Sequence, residues 1–182
     1  GTAGGSIAHA DPVAEWPCLA VTLDAEMVAV SPRGTRTIAA AEFFAGLYTT
    51  ALEFDEVLTE VRFPVSAGCS GWGFREFAYR TGDYAVVAVA VDLAVEDGAV
   101  RSARIGFANL ADRPVRSPGV EQALVGRPVD EALDAGAAAE LTAMLRAEQG
   151  RAGLPEDRLE LAGVMARRAI DDALARAHGG AV

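Results

Sequence analysis

Residues 86–109 read VVAVAVDLAVEDGAVRSARIGFAN, and this stretch carries a strong hairpin signal. Residues 86–95 are almost continuously apolar, which fits either a core strand or a buried helix. Glu96, Asp97 and Gly98 then supply the residue types of a tight turn. Residues 100–109 follow as a second strand signal of similar length, so the stretch predicts an antiparallel hairpin.

Shorter strand signals precede this hairpin and helical signals follow it. Residues 19–30 fit a short helix or extended segment that leads into a strand. The turn signal at residues 31–34 separates it from a further strand at 35–38, and the pair predicts a hairpin. Other predicted elements are a helical turn at 39–44, strands at 58–63 and 72–79, and helices at 132–147 and 158–177. The order predicts an α+β fold, and the small residues of 65–73 mark the best candidate domain boundary.

Composition excludes several classes of function. The 182 residues carry a formal net charge of −10, which argues against a nucleic-acid partner and against an anionic membrane surface. All 16 basic residues are Arg, so lysine Schiff-base chemistry is excluded. No apolar run has membrane-spanning length and no signal peptide is recognisable, so we expect a cytoplasmic protein.

The cysteines and histidines predict no metal centre. Cys18 and Cys69 are far apart and lack a Cys-x-x-Cys pattern, so two buried thiols are favoured over one disulfide. His9 and His178 are the only histidines, which makes a classical zinc site improbable.

The first twelve residues, GTAGGSIAHADP, are the most suggestive of a ligand site. Glycines without a Cβ let the backbone approach a ligand closely and direct N–H groups at an anion. A phosphate-bearing cofactor is therefore one interpretation. The other is a glycine-rich turn at the start of a strand.

Residues 2–17, TAGGSIAHADPVAEWP, resemble the second flavin-binding motif of the FAD (medium) subunits of molybdenum hydroxylases, the family of carbon monoxide dehydrogenase and xanthine dehydrogenase. Similar blocks follow in the family's order at residues 41–44, 58–64, 77–85, 114–118 and 124–128. The resemblance implies that residues 1–66 form the second lobe of a vanillyl-alcohol-oxidase-type FAD domain. It implies that residues 72–182 form the family's C-terminal domain, a three-stranded antiparallel sheet with a helical bundle.

The resemblance also implies a cofactor and partners. The cofactor is FAD, which receives electrons from a molybdenum site through iron–sulfur clusters and passes them to an external acceptor. The partners are molybdenum and iron–sulfur subunits in a hetero-oligomer. Family subunits begin with an additional lobe that carries a first glycine-rich loop and is not found in these residues. We expect that lobe in a separate chain or fragment, unless the chain is a truncated relative.

Individual residues take roles from the same resemblance. The residues that match positions contacting the flavin or its diphosphate are Thr2, Gly4, Gly5, Ser6, Ile7, Glu15 and Tyr84. Tyr84 matches a position near the isoalloxazine ring. No catalytic residue is assigned, and the candidates for proton chemistry are His9, Asp83 and Tyr84.

Two other functions stay open on the sequence. A relative that has lost FAD could use the remaining cleft as a small-molecule pocket, as a cofactor-independent cyclase or isomerase. Its acid–base groups would be His9, Asp11, Glu15, Asp83 and Tyr84. The third hypothesis is a non-catalytic assembly module, because removal of a lobe would expose apolar surface.

Overall fold

The computed structural model describes residues 1–65, 69–131, 133, 136–149 and 153–179. The elements of the first part are α1 (Ala3–His9), α2 (Glu15–Thr22), β1 (Glu26–Ser31), β2 (Gly34–Ala39), α3 (Ala40–Phe43), β3 (Phe44–Gly46), β4 (Thr49–Thr50) and β5 (Val57–Arg62). Those of the second part are β6 (Ser70–Phe77), β7 (Val87–Glu96), β8 (Ala99–Ala108), β9 (Val115–Arg116), α4 (Pro118–Leu124), α5 (Ala137–Gln149) and α6 (Glu156–Gly179). The fold mixes helices with antiparallel sheets, as predicted.

The first part is built on an antiparallel sheet in the order β2-β1-β5. The predicted hairpin is confirmed, with Ser31 paired to Gly34 at its turn and Met27 paired to Ile38. Gly34 has φ +136°, a conformation that side-chain-bearing residues rarely adopt. Met27 and Phe43 are fully buried in the core that this sheet shares with α1 and α3.

The second part is built on the hairpin of β7 and β8. Residues 87–95 lie in a strand and not in a helix, and Ala88 pairs with Ala108 at the open end of the hairpin. Val87, Val89, Val91 and Leu93 alternate along β7 and lie in the core covered by α5 and α6. Within the described ranges this sheet has the order β6-β7-β8-β9, so the two-residue β9 adds a fourth strand to the three that were expected.

The expected linker at residues 65–73 is wrong at its C-terminal end. Ser70 begins β6, and residues 66–68 lie outside the described residues. Gly71 and Gly73 allow α6 to approach β6, because a Cβ at either position would lie 1.9 Å from a carbonyl oxygen of α6, that of Ala173 or Ala169. These glycines indicate close packing of a helix on a strand.

Two helix boundaries also differ from the sequence prediction. Helix α5 begins at Ala137, later than the predicted residue 132, which lies outside the described residues. Helix α4 is absent from the sequence prediction, although Ser117 and Pro118 are residue types typical of a helix start. A distant side chain also stabilises its N-terminus. The Glu148 carboxylate on α5 accepts hydrogen bonds from the Ser117 hydroxyl and from the Gly119 N–H.

Helix α2 joins the two parts of the chain. It lies on the β6-β7-β8-β9 sheet, on the face opposite α6, where Cys18 packs against Ala88, Ala90 and Ala108. Gly106 on β8 lies directly under the helix, because a Cβ there would come within 2.0 Å of Thr22 Oγ1. Small residues on this face of the sheet therefore permit the contact.

Ion pairs fix the chain where α2 ends. Asp24 adopts φ 53° and accepts hydrogen bonds from Arg104 Nη1 at 3.3 Å and from Arg116 Nη1 at 2.6 Å. Arg104 also binds Asp92 on β7 at 2.6 Å, and Arg116 binds Glu121 on α4 at 2.7 Å. The end of α2 is thereby tied directly to β8 and β9, and through their arginines to β7 and α4.

We expect Gly106→Ala to lower the free energy of unfolding by about 1–3 kcal/mol, the range found for overpacked cores. The added Cβ would overlap Thr22 Oγ1 and force α2 away from the sheet. Denaturant unfolding measures the loss. The double variant Gly106→Ala/Thr22→Ala should recover part of it, and an unchanged unfolding midpoint for Gly106→Ala would contradict the packing.

Candidate functional site

The glycine-rich segment forms the first turn of α1 and not a turn at the start of a strand. Thr2 is the N-cap residue, and its Oγ1 accepts a hydrogen bond from the Gly5 N–H at 3.1 Å. The Ser6 N–H donates to the Thr2 carbonyl at 3.0 Å. The first N–H groups of an α-helix have no acceptor within the helix, so those of Ala3 and Gly4 are directed outward.

The two glycines of this turn have different surroundings. A Cβ at Gly4 would meet nothing within 4 Å, so the backbone there lies at an open surface. A Cβ at Gly5 would lie 2.8 Å from Thr2 Oγ1 and would disturb the cap. Gly4 lines a cavity of about 390 Å³ together with Ile7, Trp16, Phe63 and residues 58–61. The Ile7 side chain itself is fully buried and anchors α1 in the core.

The polar residues between the end of α1 and the start of α2 have different surroundings. The His9 ring lies 5.0 Å from the ring of Tyr48, measured between centroids. Asp11 Oδ1 accepts a hydrogen bond from the Val13 N–H at 3.1 Å, which closes a turn. Glu15 is exposed at the start of α2 and lines a second cavity, of about 360 Å³, with Leu19, Trp72 and Phe74 among its other residues.

Tyr84 lies in the loop before β7 and is 74% exposed. It lines a third cavity, of about 260 Å³, whose other residues include Tyr79, Asn109 and Arg158. The Asp83 carboxylate accepts a hydrogen bond from the Tyr84 N–H at 2.9 Å, so it is engaged with its own loop. The predicted residues do not share one cavity: Gly4 and Ile7 line the first, Glu15 the second and Tyr84 the third.

Asn109 connects the segment after α1 with the loop that contains Tyr84, and sequence reasoning missed it. Its N–H donates to the Pro12 carbonyl, and its side-chain amide donates to the carbonyls of Ala85 and Val86. The signal in the sequence is weak, because one polar residue after an apolar strand is ordinarily a turn residue.

The described residues form neither a metal-binding cluster nor a membrane-spanning helix. Among the residues that the structure describes, no cluster of three or more His, Cys, Asp or Glu side chains could hold a metal ion. No helix in the described part of the chain is long and apolar enough to cross a membrane. Cys18 and Cys69 are both free thiols, the first buried and the second half-buried.

Comparison with known proteins decides the family. Residues 72–173, more than half of the chain, match the family described as CO dehydrogenase flavoprotein C-terminal domain. This chain belongs to the CO dehydrogenase flavoprotein family. Residues 1–66 match a second family, described as FAD binding domain in molybdopterin dehydrogenase.

Relatives of known description match over almost the whole chain. Caffeine dehydrogenase subunit beta of Pseudomonas sp. (strain CBB1) is 37% identical over 93% of this chain and 58% of its own length. The carbon monoxide dehydrogenase medium chain of Afipia carboxidovorans is 38% identical over 97% of this chain and 62% of its own. The chain therefore spans about three-fifths of the length of these relatives.

A solved structure shows the same fold. Reconstituted CO dehydrogenase from Oligotropha carboxidovorans superposes with a TM-score of 0.85 at 36% identity, over 97% of this chain and 62% of that one. The arrangement of antiparallel sheets and helices is thus shared with this flavoprotein family.

Cys18 should be chemically inert until α2 leaves the sheet. Burial raises the pKa of the Cys18 thiol to about 12, so it stays protonated at about pH 8, where an ordinary Cys thiol begins to ionise. We expect a thiol reagent to modify Cys69 in the native protein and Cys18 only after denaturation. A Cys69→Ser variant leaves Cys18 as the only thiol. Fast modification of this variant in its native state would contradict the packing of α2 on the sheet.

Proposed function

We propose that this chain is the flavin-holding part of the FAD subunit of a molybdenum-hydroxylase-type oxidoreductase. It passes electrons from iron–sulfur clusters to FAD and on to an external acceptor. The two ordered family matches support this function. The observation that carries it is the Thr2-capped first turn of α1, which directs N–H groups to an open surface at Gly4. When bound, FAD supplies the redox chemistry, while the protein holds and orients it.

The first turn of α1 has the right donors for the FAD diphosphate. Backbone N–H groups and the Ser6 hydroxyl can donate to phosphate oxygens, and Gly4 adds no side chain in their path. Gly5 preserves the cap that shapes the turn. Glycine within a helix costs about 0.5–1 kcal/mol relative to alanine. Close approach of a ligand at Gly4 is a physical reason to accept that cost.

The remaining site residues are proposed to act through different groups. Tyr84 presents an exposed ring that can stack on the isoalloxazine and still offer its hydroxyl. The Glu15 carboxylate can accept a hydrogen bond from a ribose hydroxyl or a flavin N–H. Because the whole of Ile7 is buried, its proposed part is to anchor α1 from the core. We assign no catalytic role to His9, Asp83 or Tyr84, since the cofactor carries the electrons.

We extend the proposal to domains and assembly. Residues 1–66 are proposed to form the second lobe of a vanillyl-alcohol-oxidase-type FAD domain, and residues 72–182 the C-terminal domain. The partners are proposed to be molybdenum-containing and iron–sulfur subunits, because the relatives include the medium chain of a carbon monoxide dehydrogenase. The free thiols Cys18 and Cys69 suit a reducing compartment such as the cytoplasm.

The proposed cyclase or isomerase has no support in the structure. Its acid–base candidates lie apart, with Glu15 in the cavity of Trp72 and Tyr84 in the cavity of Asn109. Asp11 and Asp83 each accept a hydrogen bond from a neighbouring backbone N–H.

Flavin content tests the function, and Gly4→Ala tests the site. The protein, isolated with its accompanying subunits, should release FAD on denaturation.

Gly4→Ala should lower FAD affinity about tenfold, equal to about 1.4 kcal/mol, because its Cβ stands where the diphosphate approaches. The same variant should unfold at an equal or higher temperature, since alanine favours the helix.

The stability measurement is the internal control for this variant. A loss of affinity with unchanged folding assigns the effect to the site. Wild-type protein that holds no flavin, even with excess FAD and its partner subunits, would overturn the function. Unchanged affinity in Gly4→Ala would overturn only the assigned contact.

A further inference from the structure

We propose that Asn109 is a positioning residue for the flavin, which holds the Tyr84 loop against the turn that follows α1. The Tyr84 loop is defined as residues 80–86. This inference rests on the FAD-binding function proposed above. Asn109 forms no hydrogen bond with the glycine-rich turn or with the Tyr84 ring. It acts through the backbone of the turn after α1 and the backbone of the Tyr84 loop.

The backbone of Asn109 binds the turn that follows α1. Asn109 follows the last residue of β8 and adopts φ 63°, a left-handed conformation that Asn tolerates better than most residues. In this conformation its N–H donates to the Pro12 carbonyl at 2.8 Å. The turn after α1 is therefore attached to the end of a central strand.

The side chain of Asn109 binds the Tyr84 loop. Nδ2 donates to the Ala85 carbonyl at 3.2 Å and to the Val86 carbonyl at 3.0 Å, which uses both of its hydrogens. Arg158 Nη1 lies 3.4 Å from Asn109 Oδ1 and from the Asn109 carbonyl oxygen. A cation beside Oδ1 orients the amide so that its N–H groups face the loop.

The position of the Tyr84 ring depends on these two carbonyls. The ring is largely exposed, whereas Ala85 is only 4% exposed and Val86 donates its N–H to the Phe77 carbonyl at 2.7 Å. The residues that directly follow Tyr84 therefore hold the loop in place. Loss of the Asn109 amide removes two hydrogen bonds from them and leaves the Tyr84 side chain unchanged.

Asn109→Gly is the variant that isolates the side chain. Glycine accepts φ 63° without strain, so the backbone bond to Pro12 can persist. Asp97→Gly is the matched control, because Asp97 has φ 52°, is exposed and lies at the opposite end of the same hairpin. Asn109→Asp keeps the side-chain shape but carries no N–H donor for the two carbonyls, so it should behave as Asn109→Gly does.

Amide hydrogen exchange of the flavin-free chain tests the attachment. In Asn109→Gly and Asn109→Asp, peptides that cover residues 80–86 should exchange about tenfold faster than in the wild type, as expected for the loss of two ordinary hydrogen bonds. Asp97→Gly should exchange there at the wild-type rate. Wild-type exchange in both Asn109 variants would overturn the proposal.

The flavin-loaded protein, with its accompanying subunits, tests the positioning. Asn109→Gly should still bind FAD, but the visible circular dichroism and the midpoint potential of the flavin should shift, while Asp97→Gly keeps the wild-type values. A flavin unchanged in both properties would overturn the positioning role. If the wild type binds no FAD, the proposed function and the flavin role of Asn109 are both overturned. Faster exchange in Asn109→Gly would then still show that Asn109 holds the Tyr84 loop, so the two failures are distinguishable.

Discussion

The contact between α2 and the small-residue face of the β6-β7-β8-β9 sheet holds the two parts of the chain together. Gly106 leaves room for Thr22, which is buried and donates its hydroxyl to the Cys18 carbonyl at 2.7 Å. Asp24 then binds Arg104 and Arg116 at the end of the helix. Shape complementarity places the helix on the sheet, and the charges fix where it ends.

This constraint explains how two separate segments can serve one cofactor. Helix α1 and its following turn come directly before α2, and the Tyr84 loop comes directly before β7. Strand β8 contacts both sides, since Gly106 lies under α2 and Asn109 binds Pro12 and Val86. The glycine-rich turn and the Tyr84 loop are therefore positioned by one strand, although about seventy residues separate them in sequence.

The sequence predicts those elements whose signals are local. The β7–β8 hairpin, the β1–β2 hairpin and α6 each have their own periodicity or turn residues, and all three are confirmed. Helix α4 depends on Glu148 from α5, and the role of Asn109 depends on carbonyls from two other segments. Gly71 and Gly73 of β6 resemble linker residues in the sequence, because α6, the helix that packs against them, lies about a hundred residues further along the chain. Such contacts cannot be inferred from neighbouring residues.

The α2 contact makes the two parts of the chain one cooperative structure, and this structure positions the site. Differential scanning calorimetry of the flavin-free chain measures that cooperativity. We expect a single unfolding transition in which the calorimetric and van't Hoff enthalpies agree. Two resolved transitions, one for each part, would contradict it.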